Sequence, residues 1–226
     1  MQITFDQVEL RYGGHPALAP LSVSLTERRI GVIGLNGSGK TSFARLIAGL
    51  AKPSAGAVTI DGLDTVTDDD DLRGRVGFIF QHPANQIILP IIADDVALGL
   101  KGRGLSKAEV AARVETALSR LGIAHLAQRR PHELSGGELQ LAALAAVLAT
   151  EPDLVIFDEP TNQLDLKNRA IVERAIAALD QAAIVISHDL ALVESFERVL
   201  VFHRGALVFD GPPAEAVARY REVALT

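Results

Sequence analysis

The 226-residue chain contains no cysteine, which excludes disulfides, thiolate metal sites and cysteine nucleophiles and suits a cytosolic protein. Any block rich in lysine and arginine is equally absent. With 22 basic against 28 acidic residues the net charge is −6 and the pI near 5.5, so nothing marks a nucleic-acid footprint. No apolar run approaches the roughly 18–20 residues of a membrane span. The N-terminus opens on strand-like Ile3-Thr4-Phe5, with no basic region leading into an apolar stretch. The expectation is a chain without leader or anchor, whose membrane role must run through a partner. Internal repeats and low-complexity tracts are also missing, and Asp68 to Asp71 read as a solvated loop. What is abundant is apolar residues, at 48%: enough for a large core in one domain, or in one domain with a sizeable insertion.

Short β-like runs recur at 3–5, 22–25, 30–33, 57–60, 76–80, 154–158, 183–187, 199–203 and 206–209. The runs 30–33, 154–158 and 183–187 are apolar throughout, which predicts parallel strands covered on both faces by helices, an α/β architecture. Between about 83 and 150 the strand signal disappears. There Ser106-Lys-Ala-Glu109 forms a capping box, with Val110, Val114, Leu118 and Leu121 on one helical face. The reading is one domain in which a helical part, 83–150, interrupts an α/β core made of 1–82 and 151–226. Pro152 and Asp153 end a long helix over 136–149 and return the chain to the sheet.

Gly34-Leu35-Asn36-Gly37-Ser38-Gly39-Lys40-Thr41 fits the phosphate-loop pattern G-x-x-x-x-G-K-[ST] between a strand, 30–33, and a helix over 42–50. Three glycines let the backbone bend with its N–H groups pointing inward. The helix N-terminus adds its positive end, and Lys40 supplies a point charge for the β/γ-phosphates. The expected ligand is a nucleoside triphosphate, with Thr41 on Mg²⁺. Leu154-Val-Ile-Phe-Asp158-Glu159 is an apolar strand ending in two carboxylates. Asp158 is placed to hold the metal, directly or through water, and Glu159 to polarise the attacking water. At Leu134-Ser135-Gly136-Gly137-Glu138 a loop enters the helix of 136–149. These residues read equally as a plain capping box or as a second phosphate-binding helix end with no lysine in it.

Phosphate loop, Gln81, Leu-Ser-Gly-Gly, Asp-Glu, Thr161-Asn-Gln-Leu-Asp165 and Ser187-His188-Asp189 occur once each, in the order seen in ATP-binding-cassette (ABC) ATPases. The resemblance covers essentially the whole chain. It implies the ABC type of P-loop NTPase fold: a mostly parallel core sheet, an N-terminal antiparallel β part and a helical insertion subdomain. It further implies that Tyr12 stacks on adenine and that Gln81 senses Mg²⁺, water and the transmembrane partner. On the same likeness Asp165 sits at a subunit contact and His188 contacts the γ-phosphate. Each ATP would lie between the phosphate loop of one subunit and Ser135, Gly136, Gly137 and Glu138 of another, so a second ATPase subunit is expected, most simply an identical one. The chain departs from the family pattern at Glu138, where glutamine is usual, and at Leu139-Gln140-Leu141, where a basic residue often follows.

Gln81-His-Pro-Ala-Asn-Gln86, with the following Ile92-Ala-Asp-Asp-Val-Ala-Leu-Gly-Leu100, resembles the corresponding region of energy-coupling-factor (ECF) transporter ATPases, which power uptake of vitamins or of cobalt and nickel. The short C-terminus after 213–220 resembles dedicated systems such as biotin uptake. The implied partners are a membrane coupling protein and a substrate-binding membrane protein, at the cytoplasmic face of the membrane. Ile87, Ile88, Leu89, Ile91 and Ile92 are expected to form a groove for a short helix of the coupling protein. An ATPase subunit of another ABC importer or exporter is the alternative. A translation-associated cassette protein would normally carry two cassettes and contact RNA. A DNA-repair ATPase would insert a coiled coil between its nucleotide motifs, whereas Lys40 and Asp158 stand only 118 positions apart.

Overall fold

The computed structural model describes residues 1–225. Two long antiparallel strands, β1 (Ile3–Tyr12) and β2 (His15–Leu25), open the chain, and β3 (Arg29–Gly34) runs into the phosphate loop and α1 (Lys40–Ile47). β4 (Ala55–Ile60) returns to pair with β1, β5 (Leu63–Asp64) follows at the edge, and α2 (Asp69–Leu72) leads to β6 (Val76–Ile79). Three helices come next without an intervening strand: α3 (Ile92–Leu98), α4 (Lys107–Arg120) and α5 (Gly136–Leu148). The chain then alternates β7 (Leu154–Asp158), α6 (Leu166–Ala177), β8 (Ala182–Ile186) and α7 (Leu190–Val193), and closes with β9 (Arg198–His203), β10 (Ala206–Gly211) and α8 (Pro213–Ala224).

The strands form two sheets. One, ordered β2-β1-β4-β5, is antiparallel; the other, ordered β10-β9-β3-β8-β7-β6, is parallel except where β10 lies against β9. In the second sheet β3 lies between β9 and β8, and Asp158 on β7 is in register with Ile186 on β8. The carboxyl ends of β3, β7 and β8 therefore deliver the phosphate loop, Asp158-Glu159 and Ser187-His188 to one edge, where ligands bind in open parallel sheets.

The sequence-based strands are present, but β1 and β2 run far beyond 3–5 and 22–25. Burial follows Ile3, Phe5, then Val8, Leu10, so the two-residue alternation slips by one between Phe5 and Val8, where the register shifts and Gln7 takes φ 48°. The acidic run Asp68 to Asp71 is not a loop: Asp69, Asp70 and Asp71 form most of α2, whose first turn favours carboxylates and whose Leu72 is buried. The capping boxes predicted at Ser106/Glu109 and Ser135/Glu138 are both formed.

α1 is wedged between the two sheets. The Phe43 ring stacks on Phe5 of the antiparallel sheet at a centroid distance of 4.6 Å and meets Phe202 of the parallel sheet at 5.1 Å, all three fully buried. A separate apolar cluster joins α3, α4 and α5 through Ile92, Val96, Val114, Leu118, Leu141 and Ala145. Ile92 is core at 1% exposure, Ile88 is 75% exposed, and Ile87, Leu89 and Ile91 lie between. The expected five-residue apolar groove is thus divided, because the start of α3 turns Ile92 inward.

Phe43→Ala is expected to destabilise the nucleotide-free chain by about 3–5 kcal/mol, read from urea denaturation. A loss below about 1 kcal/mol would mean the two sheets hold together without the aromatic bridge.

Candidate functional site

Backbone crowding decides the shape of the phosphate loop. Gly39, at φ 104°, caps α1, and a Cβ there would stand 2.7 Å from Leu18 Cδ2 and 2.9 Å from the Ala17 carbonyl. The loop is folded in the nucleotide-free chain: the buried Lys40 ammonium donates to the carbonyl oxygens of Gly34 and Leu35 at 2.8 and 3.0 Å. Burial lowers the Lys40 pKa, and Glu159 and Asp158 act in the opposite sense. The Ser38 hydroxyl is buried and has no hydrogen-bond partner among the described residues, a polar group at the loop free to meet a phosphate oxygen.

One cavity of about 440 Å³ gathers Tyr12, the loop from Asn36 to Ser42, Gln81, Asp158, Glu159 and His188. Ala17 and Asn162 complete its wall; these and Ser42 were not picked out in the sequence, since their side chains carry no motif-specific chemistry. Tyr12 is half exposed at its rim. Gly34 and Leu35 stand behind the lining and serve through their carbonyls.

Thr41 Oγ1 donates to Asp158 at 3.0–3.1 Å, reaching both carboxylate oxygens. A hydroxyl and a carboxylate at the mouth of a phosphate loop form the hard-oxygen donor set that suits Mg²⁺ shared with a nucleotide. Burial pushes the Asp158 carboxyl above its ordinary value, against Thr41, Arg45 and Lys40. Glu159 is raised as well, by burial first. It occupies φ 54°, the left-handed region that non-glycine residues avoid, and this turns its side chain away from that of Asp158. His188 faces it: Nε2 lies 2.9 Å from Glu159 Oε1, and the His188 backbone N–H donates to Oε2 at 3.3 Å. Burial and Lys40 depress the His188 pKa, and because a carboxylate offers only acceptors, Nε2 carries the hydrogen of this contact.

Ser135, Gly136, Gly137, Glu138 and Asp165 do not line this cavity. Ser135 and Gly136 open α5 and are exposed to solvent, while Asp165 caps α6, accepting from the Asn168 backbone at 2.8 Å and side chain at 3.1 Å. The two groups adjoin: a Cβ on Gly137 would lie 2.5–2.7 Å from the Asn168 side chain. Glycine is required there by packing within the chain itself.

A family model described as ABC transporter matches residues 18–162. The chain belongs to the ABC transporter family. This ABC ATPase is 63% identical over 224 residues to the biotin transport ATP-binding protein BioM of Rhizobium etli, covering 99% of this chain and 100% of that one. It is 38% identical to the energy-coupling factor transporter ATP-binding protein EcfA1 of Latilactobacillus sakei, over 89% of this chain and 74% of that one. Among solved structures it superposes on cbiO1 from Clostridium perfringens, described as part of the ABC transporter complex cbiONQ, with a TM-score of 0.86, 29% identity, and coverage of 99% of this chain and 94% of that one. The fold is therefore the ABC ATPase fold expected from the motif order, and the chain is a transporter's ATP-binding, ATP-hydrolysing subunit.

Two further residues of the Gln81 region act through hydrogen bonds that the sequence did not reveal. Gln86 grips the end of β6, accepting from the Phe80 N–H and donating to the Phe78 carbonyl, both at 3.2 Å. The buried Asp95 accepts from the N–H groups of Ile88 and Leu89 at 2.8 and 2.9 Å. Both lie in the stretch that resembled ECF ATPases, where the acidic pair and second glutamine were noted only as pattern.

Because Asp158's folded-state pKa lies above its ordinary 3.8, burying its charge costs stability at neutral pH, and that cost vanishes as pH falls through the folded-state value. Asp158→Asn is therefore expected to raise the melting temperature of the nucleotide-free chain at pH 7.5, with the gain closing on acidification, while Mg-ATP hydrolysis is lost. A lower melting temperature at pH 7.5 would show that the carboxylate stabilises the empty site.

Proposed function

We propose that this ATPase drives an ECF-type uptake transporter for biotin, as one of two identical subunits at the cytoplasmic face of the membrane. The observation that carries the dimer is the division of the site. Phosphate loop, metal donors and the Glu159–His188 pair surround one cavity, whereas Ser135 and Gly136 face solvent elsewhere on the same chain. A second copy supplies to each ATP what its own chain leaves outside.

In this reading Tyr12 stacks on adenine, and the loop N–H groups with Lys40 hold the phosphates. Thr41, Gln81 and Asp158 hold Mg²⁺, which neutralises phosphate charge when bound. Glu159 accepts a proton from the attacking water, its raised pKa bringing it nearer working pH. His188 orients Glu159 and reaches toward the γ-phosphate. Ser135, Gly136, Gly137 and Asp165 complete the other subunit's site. Biotin is favoured by the 63% identity to a protein named for biotin transport, and the ECF class by the EcfA1 likeness. A system for a transition metal such as cobalt is the second reading, from the resemblance of the Gln81–Gln86 stretch to ECF ATPases.

Among the described residues no helix is long and apolar enough to cross a membrane, so coupling needs a membrane partner. Its seat is an apolar groove of about 560 Å³ between α3 and α4, walled by Ala93, Ala97, Leu105, Val110, Val114 and Leu118. We assign it to a short cytoplasmic helix of the coupling protein. The segment that enters α3 carries exposed Ile88 and is fastened to Gln81's strand by Gln86 and to α3 by Asp95. Residues 83–150 thus serve as the unit that follows the nucleotide state.

Reconstitution with membrane coupling and biotin-binding proteins tests the assignment. Labelled biotin uptake is expected with this chain, and not with Glu159→Gln, whose turnover should fall roughly 10²–10⁴-fold while an ATP-bound dimer accumulates. Uptake of cobalt instead would favour the second reading; near-normal hydrolysis by the variant would remove Glu159 from the mechanism.

Ile88→Asp is expected to leave folding and ATP binding intact but to abolish co-purification with the membrane partner. Ile92→Asp, at a core position, should instead unfold the helical layer. Co-purification that survives Ile88→Asp would show that the segment entering α3 takes no part in the contact, whereas loss of co-purification in Val110→Asp, at the groove wall, is expected on the same reading.

A further inference from the structure

The donors at the start of α5 are already spent. Ser135 Oγ lies 2.8 Å from Glu138 Oε2, and a carboxylate has no proton to offer, so the hydroxyl hydrogen points at Glu138. The same Oε2 takes the Ser135 backbone N–H at 2.8 Å, and Ser135 Oγ in return accepts the Glu138 N–H at 3.3 Å. These donors hold the Glu138 carboxyl below its ordinary pKa, so it is ionised at neutral pH. An anion approaching from solvent meets a lone pair on Ser135 and a negative charge behind it. Only the first-turn N–H groups of Gly136 and Gly137, which have no acceptor within the helix, remain to receive it.

We propose that Glu138 is an internal competitor for the phosphate-binding end that this chain lends to its twin, so that the ATP sandwich closes only when the Ser135 hydroxyl swings from Glu138 to the phosphate. The inference rests on the dimer reading above. Two terms oppose closure. The charge-assisted bond to Glu138 is lost, and the freed carboxylate stays close to the phosphate charge. A glutamine at 138 can still accept from Ser135 and keep the helix capped. It holds the hydroxyl more weakly and carries no charge. Glu138 thus sets the ATP concentration at which subunits engage, making it a positioning residue that acts through Ser135.

The test uses the whole chain in a Glu159→Gln background, where hydrolysis does not consume the dimer. ATP titrations followed by analytical ultracentrifugation give the concentration for half-maximal dimerisation. Adding Glu138→Gln is expected to lower it roughly 3- to 10-fold, the range of one hydrogen bond's net contribution, and the shift should shrink as salt rises. Thermal melts without nucleotide check that the cap survives. In a Ser135→Ala background the gain from Glu138→Gln should fall by at least half, because there is no hydroxyl left to contest. An unchanged or raised ATP requirement overturns the proposal, as does a gain of equal size without the Ser135 hydroxyl, which would assign the effect to charge alone. If the Glu159→Gln parent itself never dimerises in ATP, the dimer reading fails and takes the inference with it. A parent that dimerises while Glu138→Gln has no effect sinks the inference only.

Discussion

The Phe43 ring, held between Phe5 of one sheet and Phe202 of the other, is the contact on which the remaining architecture depends. It fixes α1 between two sheets that also meet through the Ala19–Gly205 backbone hydrogen bond and the Arg198 contact to the Ser24 carbonyl, and α1 begins at Lys40. The orientation of the phosphate loop, the direction of the α1 dipole and the approach of Thr41 to Asp158 all follow from that wedge. Close packing transmits such a constraint because cores of this density leave a side chain no alternative seat.

The site concentrates electrostatic cost within the chain itself. Two carboxylates and one ammonium are buried together, and burial pushes each away from its charged form. Glu159 adds a left-handed backbone, and Ser38 a hydroxyl with nothing to bond. Features that cost stability in the free chain, clustered at one edge of a sheet, are those a ligand relieves, as expected where function opposes stability. In the helical layer, by contrast, helix starts and backbone N–H groups are held by the capping boxes and by the Asp95 and Gln86 clamps, although the buried Gln140 Nε2 has no partner among the described residues.

Much of this was legible in the sequence because the chemistry sits in contiguous motifs. The phosphate loop, Asp158-Glu159 and His188 follow strands whose apolar runs are uninterrupted, so both position and context could be read. The antiparallel strands were cut short because bulges reset their alternation: Ile3 and Phe5 share a phase that Val8 and Leu10 have left. α6 and α8 gave little signal since each buries few side chains, Val172 and Ile176 in the first and Ala216, Val217 and Val223 in the second. The clamps of Gln86 and Asp95 were illegible for another reason: both act on backbone groups, which have no sequence of their own. The grouping of Ser135 to Glu138 apart from the cavity was foreseeable only through the family resemblance.

The close approach of Gly137 to Asn168 changes how genetic data on this motif should be read. A side chain at Gly137 would meet Asn168 at 2.5–2.7 Å before any nucleotide arrived, whereas one at Gly136 would meet only the tip of Leu164 at 3.2 Å. A mutational scan scored by growth would therefore flag Gly137 as indispensable for reasons of chain packing alone, and its intolerance would not separate packing from any contact with ATP. On the proposed two-subunit site, the neighbouring positions 135 and 136 are the ones whose tolerance profile would report on the nucleotide.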